Sequence, residues 1–332
     1  MAQKPIIVTP GDPAGIGAEI ALKAWQKGCN DFVIFEDVAR LQSLASDLKI
    51  DIQITSISRL DAFDPNCGAL QVMPISWPIS PQMGKPDTAN APLVIQTIKD
   101  AAHHVKTAQA AAMVTNPIAK ATLYDAGFTY PGHTEFLGSL CSPDQGGPLM
   151  MLACDELRVV PLTVHIPLAD VAKTIASTTI VNACRLIVKS LHRFEDIKDP
   201  HIAVCGLNPH AGEQGTMGQE DTKIIAPAID KLRAENINVT GPHSADTLFH
   251  AEARATYDAV LGMYHDQVLI PLKTIDFYGG VNITLGLDFI RTSPDHGTGF
   301  DIAGKGIAKP DSLIAALKQA RRMATRQAQS NA

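Results

Sequence analysis

Short β-branched apolar runs alternate with longer segments whose apolar residues recur three and four apart, and this alternation extends along most of the chain. The runs at residues 6–8, 32–35, 112–115, 159–164, 202–205 and 259–263 predict strands. Between them, residues 18–26, 38–48, 91–105, 181–194 and 222–232 carry the helical period of segments packed on a sheet. Strands alternating with helices imply parallel strands joined by crossover helices, so the expected class is α/β. A closing helix is expected from Pro310 through Leu313, Ile314, Leu317 and Ala320, with proline at its favoured first position. The least regular stretch, residues 77–86, holds Pro78, Pro81, Gly84 and Pro86 and is expected to form an ordered surface loop.

The 332 residues, 45% hydrophobic and 19% charged, are enough to bury a large core and to divide into two lobes. A net charge of −6, with no Lys/Arg-rich block interleaved with aromatics, argues against nucleic acid and for small-molecule partners. There is no uninterrupted apolar run of about 18 residues, and the first residues lead straight into Ile6-Ile7-Val8 without a signal-like apolar region. No membrane association and a cytoplasmic location are therefore expected. The six cysteines, Cys29, Cys67, Cys141, Cys154, Cys184 and Cys205, are scattered singly, so they read as reduced thiols and not as a disulfide or zinc framework.

Three histidines stand out by position. His165 and His265 each follow a predicted strand directly, and His210 follows the 202–205 run after a short connection. In a parallel sheet those strand ends share one edge, where ligands bind. Three neutral imidazoles leave an open position on a borderline divalent cation, the pattern of catalytic metal sites. His103, His104 and His192 read instead as solvated or structural.

Two segments are rich in glycine. Residues 9–17, Thr-Pro-Gly-Asp-Pro-Ala-Gly-Ile-Gly, join the first strand to the first helix, where backbone N–H groups can face an anion. The spacing is neither that of a dinucleotide fingerprint nor that of a phosphate-binding loop, and a plain turn with Asp12 or Pro13 opening the helix is the other reading. The polar stretch 290–306 is expected to be a functional or a mobile loop. Within it, Arg291 can fork a carboxylate or phosphate, and Lys273 and Asn282 lie a few residues upstream.

Taken in order, Gly-Asp-Pro-Ala-Gly-Ile-Gly at 11–17, Pro-Gly-His-Thr-Glu-Phe-Leu at 131–137, Asn-Pro-His-Ala-Gly-Glu at 208–213, Tyr-His-Asp-Gln at 264–267 and Ile-Arg-Thr-Ser-Pro-Asp-His-Gly-Thr at 290–298 resemble the 4-hydroxythreonine-4-phosphate dehydrogenase family of pyridoxal phosphate synthesis. The resemblance spans essentially the whole chain. Gly299 and Ser244 stand where that pattern has an alanine and a proline.

The resemblance implies an isocitrate/isopropylmalate dehydrogenase-like α/β fold of two lobes with a cleft. Residues 1–130 and 270–332 would form the first lobe, including a C-terminal loop that contacts NAD, and residues 131–269 the second, with the metal ligands and dimer interface. It also implies a homodimer whose active site lies at the interface, with the partner completing the metal sphere. The implied metal ligands are His165, His210 and His265, and the implied substrate contacts are His133, Thr134, Lys273, Asn282 and Arg291. NAD, with NADP as the alternative, would bind without the usual fingerprint; Gly297, Thr298 and Asp301 are candidates for contacting it. Asp246 and Asp266 are candidates for proton transfer or for orienting a metal histidine. Histidine ligation is compatible with zinc, cobalt, manganese or, less naturally, magnesium.

The implied reaction is oxidation of 4-phosphooxy-L-threonine to a 3-oxo acid, which loses CO2 to give 3-amino-2-oxopropyl phosphate. Related dehydrogenases of aromatic dihydrodiols or phosphorylated sugar acids are alternatives. A metallohydrolase using the same histidines to activate water is a further one.

Overall fold

The computed structural model describes residues 3–130, 132–141 and 147–330; Pro131, the first residue of the 131–137 motif, lies outside them. Twelve strands are formed among the described residues. They are β1 (Ile6–Thr9), β2 (Phe32–Glu36), β3 (Gln53–Ser56), β4 (Ala69–Pro74), β5 (Ala112–Thr115), β6 (Leu149–Cys154), β7 (Leu157–Thr163), β8 (Ile202–Cys205), β9 (Val239–His243), β10 (Ala259–Tyr264), β11 (Val281–Leu285) and β12 (Arg291–Pro294). The class is α/β, and each run expected to be a strand is one.

The backbone clusters into two compact units, Met1–Ser142 with Leu287–Thr325 and Pro143–Gly286 with Arg326–Ala332. This division differs from the expected lobes at three places, residues 131–142, 270–286 and 326–332, and packing accounts for the first two. The helix His133–Ser139 sends Phe136 and Leu137 into the core of the first unit, beside Val94, Ile98 and Phe128. Strand β11 pairs antiparallel with β6 along its length, which places it in the second unit.

In the first unit the strand order is β3-β4-β2-β1-β5-β12, with every pair parallel. Strands β1, β2 and β5 are buried at every position, which explains their unbroken apolar sequences. The helix Val38–Asp47 begins where Asp37 accepts a hydrogen bond from the Arg40 backbone N–H. Asp12 does not cap the first helix, contrary to one of the two expectations. That helix runs Gly17–Gln26, whereas the Asp12 carboxylate accepts from the Ala14 N–H at 2.9 Å and closes a local turn.

The second unit has the order β11-β6-β7-β10-β8-β9. Strands β7, β10, β8 and β9 are parallel, and β6 runs antiparallel to both of its neighbours, β7 and β11. The helix Ser177–Glu195 buries Ile180, Cys184, Ile187 and Leu191, spaced three and four apart. Each of these apolar side chains contributes about 1.5–3 kcal/mol by leaving water, and truncating Leu191 to alanine is expected to cost about 2–5 kcal/mol. Glu195, at the end of the helix, accepts from Arg158 at 3.2 Å and from Arg326, so a buried carboxylate meets two guanidinium groups. Among the described residues no single helix is long and apolar enough to cross a membrane.

Candidate functional site

Strands β7, β10 and β8 are neighbours and parallel, so their carboxyl ends lie along one edge of the second unit's sheet. His165 follows β7 by two residues, His265 follows β10 directly as the first residue of the helix His265–Ile275, and His210 follows β8 by five. The His165 and His265 rings come together, with centroids 6.1 Å apart. A ring centroid sits roughly 3 Å from an ion bound at about 2.0–2.1 Å, so two rings at this separation are within reach of a common cation. His265 Nδ1 is paired with Asp266 Oδ1 at 2.7 Å, which leaves Nε2 as the ring nitrogen that could ligate a cation and gives Asp266 an orienting position. Among the described residues no group of three His, Cys, Asp or Glu side chains is placed to hold a metal ion. The pair therefore fits a divalent cation in its chemistry, but one chain does not bring His210 to complete it.

His210 stands on an unusual backbone. Residues 210–214 all have positive φ, at 51°, 52°, 76°, 38° and 56°. Only Gly212 among them adopts this region without steric conflict. The turn is held from beneath by Asp221, whose side chain is wholly buried. Its Oδ1 accepts from Leu207 N at 2.8 Å, and its Oδ2 accepts from Asn208 N at 3.2 Å and Asn208 Nδ2 at 2.9 Å. A Cβ on Gly206 would stand 2.6 Å from Oδ1 and one on Gly212 3.1 Å from Oδ2, so both glycines make room for the carboxylate. Sequence reasoning missed Asp221, and the glycines at 206 and 212 were its only signal. Asp246 accepts a hydrogen bond from Ser244 Oγ; that bond first, then one from its own backbone N–H, and after it the charge of nearby His210, hold its carboxyl below the usual range. Ser244 thus has a role of its own at the position where the family pattern has proline.

The first unit contains a separate polar group at the ends of β5 and β12. The stretch 290–306 is not loop throughout, because Arg291–Pro294 forms a buried polar strand paired with β5. Arg291 is 3% exposed and donates from Nε at 3.0 Å and Nη2 at 2.6 Å to Thr115 Oγ1. Burial pushes its guanidinium down to about 9, still charged at neutral pH. His133, the first residue of its helix, lies close enough to feel that charge. Burial first, then Arg291 and Lys120, hold the imidazole well below its usual value, so it is neutral. Its Nε2 is buried with no hydrogen-bond partner, an atom left for a ligand. Thr134 follows, half-buried.

The other two expected substrate contacts lie in the second unit. Lys273 holds its ammonium 5.3 Å from the centroid of the Phe277 ring. Asn282 lies on β11, with Oδ1 buried and unbonded.

The two glycine-rich segments meet. Ile16 N donates to Thr298 O at 3.0 Å, and a Cβ on Gly15 would stand 2.7 Å from that oxygen. The loop beyond is pinned: Ala308 N donates to the buried Glu19, and Lys23 Nζ donates to Gly306 O and Ala308 O at 2.9 and 2.7 Å. Of the candidate cofactor contacts, Thr298 touches the first glycine loop, a Cβ on Gly297 would meet open space, and Asp301 is exposed. Gly299 has φ +59°, where glycine is more easily accommodated than alanine.

Residues 27–320 match the family of the pyridoxal phosphate biosynthetic protein PdxA. The chain belongs to this family. It is 48% identical over 330 residues to a 4-hydroxythreonine-4-phosphate dehydrogenase of Ruegeria sp. (strain TM1040), with 98% of this chain and 99% of that protein covered. The crystal structure of the 4-hydroxythreonine-4-phosphate dehydrogenase from Klebsiella pneumoniae superposes with a TM-score of 0.89 at 37% identity, covering 97% of this chain and 100% of that one. A terephthalate 1,2-cis-dihydrodiol dehydrogenase from Burkholderia xenovorans LB400 is more distant, at a TM-score of 0.64 and 26% identity over 96% of this chain and 98% of that one.

Proposed function

We propose that the chain is a cytoplasmic, homodimeric, NAD-dependent 4-hydroxythreonine-4-phosphate dehydrogenase. It would transfer hydride from 4-phosphooxy-L-threonine to NAD, giving the 3-oxo acid, NADH and a proton; the 3-oxo acid then loses CO2 to yield 3-amino-2-oxopropyl phosphate. The observation that carries this reading is the buried Arg291 beside a neutral His133 with an unbonded Nε2, an anion-binding group in a chain that matches dehydrogenases of a phosphorylated substrate along nearly its full length.

His165 and His265 would hold a divalent metal, with His210 from a second copy of the chain as third ligand. Such a metal, when bound, lowers the pKa of a substrate hydroxyl and stabilises negative charge developing on its oxygen. Arg291, His133 and Thr134, together with Lys273 and Asn282, would anchor the phosphate and carboxylate and so fix which C–H bond faces the nicotinamide. Asp266 would hold the His265 imidazole in one orientation through their hydrogen bond, and Asp246 would do the same for His210. Gly297, Thr298 and Asp301 remain the candidates for contacting NAD, or NADP in its place. A second copy is supported by exposed apolar residues of the second unit, Ile166, Leu168, Ile270, Phe277 and Tyr278, which flank His165 and Lys273 in sequence.

The related dihydrodiol dehydrogenase makes a cis-dihydrodiol the second substrate to test. Assaying NADH formation with 4-phosphooxy-L-threonine and with an aromatic cis-dihydrodiol separates the two readings. Turnover of the first alone is expected. Turnover of the dihydrodiol alone, or phosphoester hydrolysis without NADH, contradicts the proposal.

A further inference from the structure

Lys120 opens the helix Lys120–Asp125 and is exposed, in the same unit as His133 and Arg291. Its Nζ lies 3.6 Å from the point where a Cβ on Gly132 would stand, directly before His133. Gly132 itself is extended, so its missing side chain matters here as space for the ammonium. A carboxylate oxygen, Glu135 Oε2, stands 3.2 Å from that same point. Arg291 and Lys120 therefore both direct positive charge at one half-buried imidazole. Such a cluster of like charges opposes its own folding and is relieved by an anion.

We infer that Lys120 binds the same oxyanion of the substrate as His133 and Arg291. The inference rests on the proposed reading that His133 and Arg291 hold the substrate. Arg291, fixed on Thr115, presents a rigid planar donor, and His133 Nε2 presents a second group at a fixed position. Lys120 adds a mobile point charge with three rotatable donors, suited to a tetrahedral group that must enter and leave.

Steady-state kinetics of Lys120→Met, with Lys120→Gln as a second variant, test the assignment. KM for 4-phosphooxy-L-threonine is expected to rise roughly tenfold to a hundredfold, the loss of one charge-assisted hydrogen bond, with KM for NAD unchanged and Lys120→Arg restoring most of the affinity. In NMR titrations with inorganic phosphate, the anion should raise the His133 pKa of the unsubstituted protein by more than that of Lys120→Met. Comparing the substrate with unphosphorylated 4-hydroxy-L-threonine identifies the group bound: an effect confined to the former assigns Lys120 to the phosphate, and one on both assigns it to the carboxylate. A KM within twofold of the original, or an equal rise for NAD, overturns the inference. If Arg291→Ala raises KM while Lys120→Met does not, only Lys120 is misassigned; if neither does, the anion site itself is.

Discussion

Replacing Asp221 by asparagine keeps the shape of the buried side chain and removes half of its accepting capacity. Four non-glycine residues of the turn, His210, Ala211, Glu213 and Gln214, sit at positive φ. At about 1–2 kcal/mol each, their conformation is unfavourable by roughly 4–8 kcal/mol. The carboxylate accepts three hydrogen bonds at the base of the turn. At about 1.5–3 kcal/mol for each bond to a charged acceptor they contribute roughly 4.5–9 kcal/mol, enough to offset the turn. An asparagine with its carbonyl oxygen toward Asn208 keeps two bonds and sets its NH2 against the Leu207 N–H, so the expected loss is about 2–4 kcal/mol. The assay is amide hydrogen exchange at Leu207 and Asn208, compared with global stability in urea. Protection there should fall roughly thirtyfold to a thousandfold, at 1.36 kcal/mol per decade, and metal affinity should fall with it because His210 is no longer held. Protection reduced by less than threefold would refute the idea that Asp221 holds the left-handed turn.

Gly15→Ala sets a Cβ 2.7 Å from Thr298 O; KM for NAD should rise well above that for substrate, and an unchanged NAD KM removes this contact from the cofactor site. His133 has its folded pKa depressed below the ordinary 6.5, so the unfolded chain takes up a proton first as pH falls. Stability should therefore be flat with respect to this group above about pH 6.5 and decline below it, and His133→Gln should abolish that part of the slope in urea titrations at stepped pH. Mixing His165→Ala with His210→Ala protein should restore roughly a quarter of the activity: half the dimers are mixed, and each mixed dimer keeps one intact site. No recovery from subunits shown to exchange contradicts a shared metal site.

The apolar runs of β1, β2, β5, β7, β8 and β10 were legible because strands buried on both faces must be apolar throughout. Strand β12 was not, because Arg-Thr-Ser-Pro gives no apolar pattern; its polar groups find partners instead, as Thr292 Oγ1 does on Ala316 O and Arg291 on Thr115. Strand β3, Gln-Ile-Thr-Ser, is a largely exposed edge and escaped for the opposite reason. The meeting of His165 and His265 was legible from topology, since both follow neighbouring parallel strands. The position of His210 was not, because five successive left-handed residues redirect the chain after β8, and the aspartate that holds them lies 11 residues further on with no motif around it. Likewise, the nearness of Lys120 to His133 depends on the space beside Gly132, and that space exists only in the folded unit.

The most direct measurement is NADH and CO2 formed together from 4-phosphooxy-L-threonine by chelated protein, before and after a divalent metal is added back. The account predicts no turnover without metal, one NADH for each CO2 with it, and no turnover after His165→Ala. Full activity in the metal-free protein, or NADH formed with no CO2, would contradict it.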